Sequence, residues 1–392
     1  MIRMIRCASI ASVFAWACVI VPVSSQVSSQ APIFVPASPV NVGEGSGQVV
    51  LADLNRDGHL DMVTRHLLQQ NIAVSLGNGK GGFTPASGSP IRLNYSPGDA
   101  AVGDVNGDGT LDLAVTASER DALDVFLGAG TGAFTRVQGA PFTASSANES
   151  YTHALYLVDL NGDRHLDAVT ANLHRNRLAT LLGDGRGRFS PGPAPAVDPA
   201  AALVDYDYAF GDVDGDGQVD FISAGGRPWP STTPGLVVVR RGNGRGAFTN
   251  ALGEPVSVPT GVRYLLLSDV NGDRRPDLVI SHQTEQISIL LNDGGGAFGH
   301  APGSPIAVGA DVFGFAVADI NRDQKSDLVA ATVDSVTVFT GDGRRFVRAP
   351  GSPFAAGPGA YNLTLGDINK DGKPDVAAAS FEANAVTLLL GQ

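Results

Sequence analysis

The feature that most constrains this chain is a nine-residue pattern that occurs seven times: Asp, any residue, Asn or Asp, any residue, Asp, any three residues, and Asp. We number its positions 1 to 9 and call each copy an Asp loop. Consecutive copies start 48 to 57 residues apart. A period of this length indicates one repetitive architecture. The copies are DLNRDGHLD (53–61), DVNGDGTLD (104–112), DLNGDRHLD (159–167), DVDGDGQVD (212–220), DVNGDRRPD (269–277), DINRDQKSD (319–327) and DINKDGKPD (367–375).

Each Asp loop has the same surroundings. A short alternating apolar run precedes it, as at 100–103, and two more follow, as at 112–118 and 124–128. A glycine-rich turn that ends in Phe comes next, as at 128–134. Alternation with period two predicts strands. Four short strands per repeat predict an all-β chain of four-stranded antiparallel propeller blades, because the alternative, a linear solenoid, normally has shorter repeats.

The two ends of the chain complement each other. The last repeat stops at 388–392, before its glycine-rich turn and fourth strand, whereas residues 33–43 (IFVPASPVNVG) match the missing segment. We therefore expect the N-terminal strand to complete the last blade and close the ring, which also removes exposed sheet edges. The sequence predicts a single domain, a seven-bladed β-propeller at 31–392.

The first 25 residues have the pattern of a secretory signal peptide. Arg3 and Arg6 precede a mostly apolar run at 8–23, and small residues follow it. A membrane anchor is the alternative, but the run is shorter than a typical span. Both cysteines, Cys7 and Cys18, lie within this segment, so no disulfide is expected in the mature chain. We expect a secreted, periplasmic or cell-surface protein that is stabilised by something other than disulfides.

The Asp loops have the composition of calcium sites. Several carboxylates within nine residues repel one another, and Ca²⁺ offsets this repulsion because it accepts six to eight oxygen ligands in irregular geometry. We expect the side chains of positions 1, 3, 5 and 9 to bind the ion, with a backbone carbonyl from position 7. An EF-hand would need flanking helices and Glu at position 12, where the seven copies have Thr, Val, Thr, Ser, Ile, Ala and Ala.

The predicted metal ligands form seven sets. They are Asp53, Asn55, Asp57 and Asp61; Asp104, Asn106, Asp108 and Asp112; Asp159, Asn161, Asp163 and Asp167; Asp212, Asp214, Asp216 and Asp220; Asp269, Asn271, Asp273 and Asp277; Asp319, Asn321, Asp323 and Asp327; Asp367, Asn369, Asp371 and Asp375. Weaker sites are expected at 159–167, 269–277 and 319–327, where position 6 is Arg or Gln instead of Gly. A side chain costs free energy in the left-handed turn expected there.

The net charge is consistent with bound cations. The chain has 39 acidic and 27 basic residues, a net charge of −12, and the seven loops contain 22 of the acids. The remaining 17 acids are outnumbered by the bases. The negative charge is thus concentrated in the loops, and it disfavours binding to nucleic acid or to an anionic membrane. Plain Asx turns without an ion remain the alternative interpretation.

The Asp loops together with the Phe-ending glycine-rich turns resemble the FG-GAP/VCBS repeat family over essentially the whole mature chain. That resemblance implies a seven-bladed propeller, as in the head of integrin α subunits, and Ca²⁺ bound between the first two strands of some blades. A candidate loop in every blade, and no appended domain, distinguish this chain from that pattern.

Aromatic residues cluster before the Asp loops. If the innermost strand of each blade precedes its Asp loop, these residues lie near the face of the ring opposite to the Asp loops. The candidate ligand-binding residues are Tyr95, Tyr151, Tyr206, Trp229, Tyr264, Phe313 and Tyr361, with nearby basic residues Arg65, Arg120, Arg175, Arg177 and Arg227. An aromatic, partly basic mouth could stack sugars or bind a cation of a partner. The alternative is that these rings pack blade against blade.

Catalytic motifs such as GxSxG or HExxH do not occur in the sequence. We therefore predict no enzyme but a secreted, calcium-binding module for adhesion or for binding a protein or glycan ligand. This ligand would lie at the face opposite the calcium loops, without nucleic acid or stable membrane insertion. The alternative function is a carbohydrate-active lyase or hydrolase on a propeller scaffold.

Overall fold

The computed structural model describes residues 34–119, 122–143, 152–172, 177–193, 204–226, 232–251 and 253–392. Every regular secondary-structure element in these ranges is a β-strand, and the strands form seven antiparallel sheets. The predicted signal peptide at 1–25 lies outside the described residues. Two short strands come first in the chain, β1 (Phe34–Pro36) and β2 (Val40–Asn41).

The first three blades follow one another along the chain. Blade 1 contains β3 (Ser46–Ala52), β4 (Asp61–His66), β5 (Asn71–Gly77), β6 (Phe83–Pro85) and β7 (Ile91–Arg92). Blade 2 contains β8 (Pro97–Gly103), β9 (Asp112–Ala117), β10 (Leu123–Gly128) and β11 (Phe134–Arg136). Blade 3 contains β12 (Thr152–Val158), β13 (Asp167–Asn172), β14 (Arg177–Gly183) and β15 (Phe189–Pro191).

The other four blades have the same order. Blade 4 contains β16 (Val204–Gly211), β17 (Asp220–Gly226), β18 (Gly235–Gly242), β19 (Phe248–Ala251) and β20 (Val256–Val258). Blade 5 contains β21 (Val262–Ser268), β22 (Asp277–His282), β23 (Gln286–Asn292), β24 (Phe298–His300) and β25 (Ile306–Ala307). Blade 6 contains β26 (Gly314–Ala318), β27 (Asp327–Ala331), β28 (Ser335–Gly341), β29 (Phe346–Arg348) and β30 (Phe354–Ala355). Blade 7 contains β31 (Ala360–Gly366), β32 (Asp375–Ser380) and β33 (Ala385–Gly391).

In blades 1 to 6 the first four strands pair in the order of the sequence, and β1 is the fourth strand of blade 7. Each short additional strand pairs with the third strand of its blade. Every Asp loop is therefore the turn between the first two strands. First strands contact first strands of neighbouring blades, as β8 contacts β12 and β16 contacts β21. The first strand is therefore innermost, around the axis of the ring. This arrangement puts the Asp loops and the glycine-rich turns on one face, which we call the loop face. The turns between second and third strands lie on the opposite face.

The N-terminal strands complete blade 7, as the sequence predicts. β1 pairs with β33 in the register Phe34↔Gly391, and β2 pairs with the same strand at Val40↔Val386. The innermost strands β31 and β3 are also in contact, which joins blade 7 to blade 1. The all-β, seven-bladed fold and its closure by the N-terminal strand are thus confirmed.

The hydrophobic core is divided among the junctions between blades. The described residues form seven clusters of buried apolar side chains, and each cluster combines residues of two adjacent blades. One of them joins blades 7 and 1 through residues such as Met62 and Leu388. Burial of apolar side chains supplies most of the free energy of folding, so each blade depends on its neighbours for stability.

Polar side chains also connect the innermost strands. Five residues before the Asp loop, a side-chain oxygen accepts a backbone N–H of the next blade in four described junctions. Gln48 accepts from Ala100 (3.1 Å), Asp99 from Leu155 (3.1 Å), Asp207 from Leu265 (2.7 Å) and Asn362 from Val49 (3.0 Å). These contacts satisfy donors at the inner sheet edges, which would otherwise be costly to bury.

Candidate metal loops and the opposite face

The carboxylates at positions 1 and 5 of each Asp loop organise its backbone. In loop 104–112, Asp104 accepts the N–H groups of Gly107 (2.7 Å) and Gly109 (2.8 Å). Asp108 accepts the N–H of Thr110 at 2.7 Å and also the Thr110 hydroxyl, and these hydrogen bonds lower its pKa. The amide of Asn106 links to Asp108. The oxygens of positions 1, 3 and 5 therefore converge in one exposed turn.

Position 9 has a different role from the exposed positions. The carboxylate of Asp112 is buried and accepts two backbone N–H groups, from Val105 (3.0 Å) and from Gly128 (2.8 Å) at the glycine-rich turn. The other six copies repeat this pair of contacts. Burial raises the pKa of all seven position-9 carboxyls. Position 9 thus joins the two turns of the loop face, a structural role that the sequence did not reveal.

In six of the seven blades, a close approach of the backbone requires glycine directly after the third strand's apolar run. A Cβ on Gly128 would stand 2.1 Å from the carbonyl oxygen of Leu111, at position 8 of the Asp loop. Glycines in five other blades meet the same carbonyl at 2.0 to 2.7 Å. Blade 5 has Asn292 instead, whose amide donates to Pro276 (3.1 Å) and Val213 (2.9 Å). The spacing between the two turns is therefore fixed by packing as well as by hydrogen bonds.

Two positions of every loop have a left-handed backbone. Position 6 has φ of 68° to 81° in all seven copies, including Arg164, Arg274 and Gln324, as the sequence predicts. Position 4 also has positive φ, between 60° and 81°, and is not glycine in three copies: Arg56, Arg322 and Lys370. Loops 104–112 and 212–220 have glycine at both positions, whereas loop 319–327 has it at neither. Because side chains are strained in this conformation, loop 319–327 is the most strained of the seven.

Loop 212–220 provides the clearest test of whether the residues fit a cation. Oxygens of Asp212, Asp214 and Asp216 lie within 4.8 Å of one another. Ligands at 2.3–2.6 Å from a shared Ca²⁺ have separations up to about this value. Arg241 forms an ion pair with Asp214 and offsets part of the negative charge. The oxygen donors of this loop therefore fit a hard divalent ion.

On the opposite face, the structure corrects the predicted set of ligand-binding rings. Tyr95, Tyr264 and Phe313 are only 3%, 6% and 7% exposed. Tyr95 donates to Asp124 (3.0 Å) and packs between blades 1 and 2, and Tyr264 packs between blades 5 and 6. These rings pack between blades, and very little of their surface is exposed to a ligand. Tyr151, Trp229 and the side chain of Tyr206 lie outside the described residues.

The prediction that this face is partly basic is also wrong for Arg65, the one predicted basic residue whose side chain the structure describes. Arg65 is 2% exposed, and its guanidinium donates to the carbonyl of Pro97 at 3.1 Å. Arg120, Arg175, Arg227 and the side chain of Arg177 lie outside the described residues.

A partly exposed cluster does occur on this face in blades 5 to 7. The rings of Phe313 and Tyr361 are 4.9 Å apart, and Arg263 lies over Phe313 at 4.3 Å. Arg263 also pairs with Asp311 (3.0 Å), and the Tyr361 hydroxyl donates to Glu382 (3.2 Å). Sequence analysis missed Arg263 because a β-bulge shifts the register between Val262 and Tyr264. Arg263 lies six residues before its Asp loop, as Phe313 and Tyr361 do, and this shared spacing could have predicted that the three side chains lie together.

Comparison with protein families matches the FG-GAP-like repeat at residues 67–115, 104–170, 159–223, 269–330 and 319–378. These segments cover more than half of the chain. The chain belongs to the FG-GAP-like repeat family. A search of the curated proteins found no match to this sequence.

Solved structures share the fold of this FG-GAP-like repeat protein at low sequence identity. BBS1N, in a complex with ARL6DN, is 12% identical with a TM-score of 0.60 over 92% of this chain and 97% of that one. An Agrocybe aegerita lectin, described by its recognition of non-reducing terminal N-acetylglucosamine, is 18% identical (TM-score 0.52; 83% and 80% covered). Sqt1 of Saccharomyces cerevisiae is 10% identical (TM-score 0.57; 93% and 100% covered). At these identities the likeness establishes the fold.

In this FG-GAP-like repeat protein, Arg and Lys side chains also lie near some Asp loops. Arg275 pairs with Asp273 of the same loop at 2.5 Å, and this hydrogen bond lowers the pKa of Asp273 to about 2. Between blades, the guanidinium of Arg56 lies 3.0 Å from the place where a Cβ on Gly109 would stand. Arg322 approaches Gly372 and Lys370 approaches Gly58 in the same way. In these three pairs a basic side chain at position 4 thus lies against the position-6 glycine of the next blade.

None of the described residues forms a helix of the length and apolar character needed to cross a bilayer.

Proposed function

We propose that this protein is a secreted, periplasmic or cell-surface calcium-binding propeller that acts as a binding or adhesion module for a protein or glycan ligand. The observation that carries the calcium part is the convergence of the Asp212, Asp214 and Asp216 oxygens within 4.8 Å. Bound Ca²⁺ would offset the repulsion between these carboxylates. Positions 1, 3 and 5 would hold the ion, while the buried position 9 keeps the two turns together.

The loops would differ in affinity. Loops 104–112 and 212–220 combine glycine at positions 4 and 6, so their backbone is the least strained. Loop 269–277 would bind more weakly because Arg275 competes for Asp273. Arg241 competes in the same way for Asp214 of loop 212–220, so the ion has to displace this ion pair there. Extracellular calcium modules have Kd values of about 10⁻⁴–10⁻³ M, which suits a protein exposed to millimolar Ca²⁺ outside the cell.

Ligand binding is assigned to the face opposite the Asp loops. Its turns differ from blade to blade, and loops that vary on a rigid scaffold are where binding residues are commonly found. Relatives in fold whose descriptions name a protein partner or a sugar are consistent with a binding role.

Calcium binding is tested by equilibrium dialysis of the metal-free protein against ⁴⁵Ca²⁺. We expect several ions per chain and a lower stoichiometry in Asp108→Ala. A stoichiometry of zero at millimolar Ca²⁺ contradicts this part of the proposal. Ligand binding is tested with a glycan array and a protein pull-down, both with the calcium-loaded protein. Release of products from a polysaccharide by the purified protein would instead support an enzyme.

A further inference from the structure

Exposed apolar side chains occur on both sides of blade 7, on the face opposite the Asp loops. Leu68 of blade 1 is 65% exposed and Val333 of blade 6 is 44% exposed, and both are among the few exposed large apolar residues of the described chain. Phe381, in the turn after β32 of blade 7, is half-buried. Contiguous exposed apolar groups commonly mark sites of interaction.

Contacts through blade 7 join these residues into one surface. The carbonyl of Val333 accepts the N–H of Gly359 at 2.7 Å. The backbone N of Glu382 lies 2.9 Å from the place of a Cβ on Gly359. Farther along the same turn, Asn384 accepts the N–H of Gly45 at 3.0 Å. The Leu68 side chain lies 2.9 Å from the place of a Cβ on Gly45, so the surface is continuous from blade 6 to blade 1.

The charges of this surface have one sign. Glu44, Asp334 and Glu382 are exposed, and the segments that form the surface (42–45, 67–70, 332–334, 356–359 and 381–384) contain no Lys or Arg. Arg263, in the next blade, is already paired with Asp311. We call the surface of Leu68, Val333, Phe381, Glu44, Asp334 and Glu382 the blade 6–7–1 patch.

We propose that the blade 6–7–1 patch docks a basic segment of a partner protein in which Lys or Arg residues lie beside apolar side chains. This inference rests on the proposed binding function and specifies its partner. The three carboxylates are complementary to basic side chains, and complementary charge directs association. Leu68 and Val333 are aliphatic and bury favourably against apolar side chains. A sugar would prefer exposed aromatic faces and hydrogen-bond donors, whereas the Tyr361 hydroxyl already donates to Glu382.

The test uses the calcium-loaded full chain and an array of synthetic ten-residue peptides whose charge and apolar content are varied systematically. We expect the bound peptides to be enriched in Lys or Arg next to Leu, Val or Phe. Asp334→Lys combined with Glu382→Lys should weaken binding of the best peptide at least tenfold, because charge complementarity is reversed. Added salt should weaken it further, since exposed charges are screened.

Leu68→Ser is a second patch variant, which removes an exposed apolar side chain. Two control variants lie outside the patch. Glu254→Lys reverses an exposed charge elsewhere, and Val347→Ser is the control for Leu68→Ser, because the side chains of Val347 and Leu68 are 66% and 65% exposed. Only the patch variants should reduce binding, with unchanged melting temperatures for all four proteins. Equal effects of patch and control variants, or bound peptides that are acidic or neutral, overturn the inference alone. Binding of glycans that the patch variants abolish also overturns it but supports the binding function. An unaltered chain that binds neither peptides, proteins nor glycans contradicts both proposals.

Discussion

The two faces of the ring are made from the same hairpins, but they differ in how strictly they repeat. On the loop face, the position-9 carboxylate makes the same two backbone contacts in all seven blades, for example from Asp61 to Leu54 and Gly77. On the opposite face, the equivalent turns include Leu68 in blade 1, Val333 in blade 6 and Phe381 in blade 7. Identical contacts in every blade indicate a requirement of folding. Variation among blades indicates that folding constrains the turns of the opposite face less strictly, and this is the face to which we assign the proposed ligand.

The largest expected effect comes from removing calcium, which should act through the loop face alone. A site with Ca²⁺ at ten times its Kd stabilises the fold by about 1.4 kcal/mol. Four to seven such sites give roughly 6–10 kcal/mol, enough to raise the melting temperature of a chain this long by about ten degrees. Differential scanning calorimetry with and without EGTA measures this shift. Mg²⁺ should rescue poorly because it requires octahedral geometry. Identical melting curves would leave the Asp loops as plain turns.

Position 9 separates folding from ion binding within the loop face. Asp112→Ala leaves the buried N–H groups of Val105 and Gly128 without acceptors, which we expect to cost about 3–5 kcal/mol. This loss should persist in EGTA, because the contacts are made by the backbone and need no metal. Urea denaturation in both buffers measures it. A loss that disappears in EGTA would show that Asp112 acts mainly as a metal ligand.

One buried carboxyl, that of Asp99 on an innermost strand, belongs to neither face and should make the stability of the fold depend on pH. Burial raises the pKa of Asp99 to about 8, although Arg65 opposes this shift. The folded state therefore keeps a proton that the unfolded chain has lost, and the contribution of Asp99 to stability falls as the pH rises from about 4 to 8. The slope is at most about 1.4 kcal/mol per pH unit. Urea denaturation at pH 5 and pH 8 should show this loss in the wild type relative to Asp99→Asn. Asp334→Asn, on an exposed turn, is the control and should resemble the wild type.

The smallest expected effect compares two loops of the same face. Asp108→Ala should reduce the calcium-dependent stabilisation by about 1.4 kcal/mol, because loop 104–112 has glycine at both left-handed positions. Asp323→Ala should reduce it less, since Arg322 and Gln324 are strained at φ of 62° and 68°. Melting temperatures of both variants over a calcium titration provide the comparison. Equal losses would show that backbone strain at positions 4 and 6 does not control affinity.

The sequence predicts the repeated parts of this molecule well. Seven Asp loops at a regular period indicate the blades, and residues 33–43 indicate the closing strand. The candidate site on the opposite face was harder to predict, because a β-bulge in the innermost strand shifts the alternation of side chains by one residue. For this reason Tyr264 is buried while Arg263 lies beside Phe313. Alternating apolar residues do not reveal where a bulge occurs.

The pairing of Phe34–Pro36 with the last strand also affects the order of folding. Hairpins of blades 1 to 6 connect residues that are close in sequence and can form as soon as each repeat is synthesised. Blade 7 has to wait, because Val40 pairs with Val386, near the other end of the chain. Long-range pairing of this kind slows folding, since a very long loop must close before the contact is formed. Until then β33 of the last blade keeps an open edge that can pair with other chains, so the concentration of newly made protein should control how much of it reaches the closed ring.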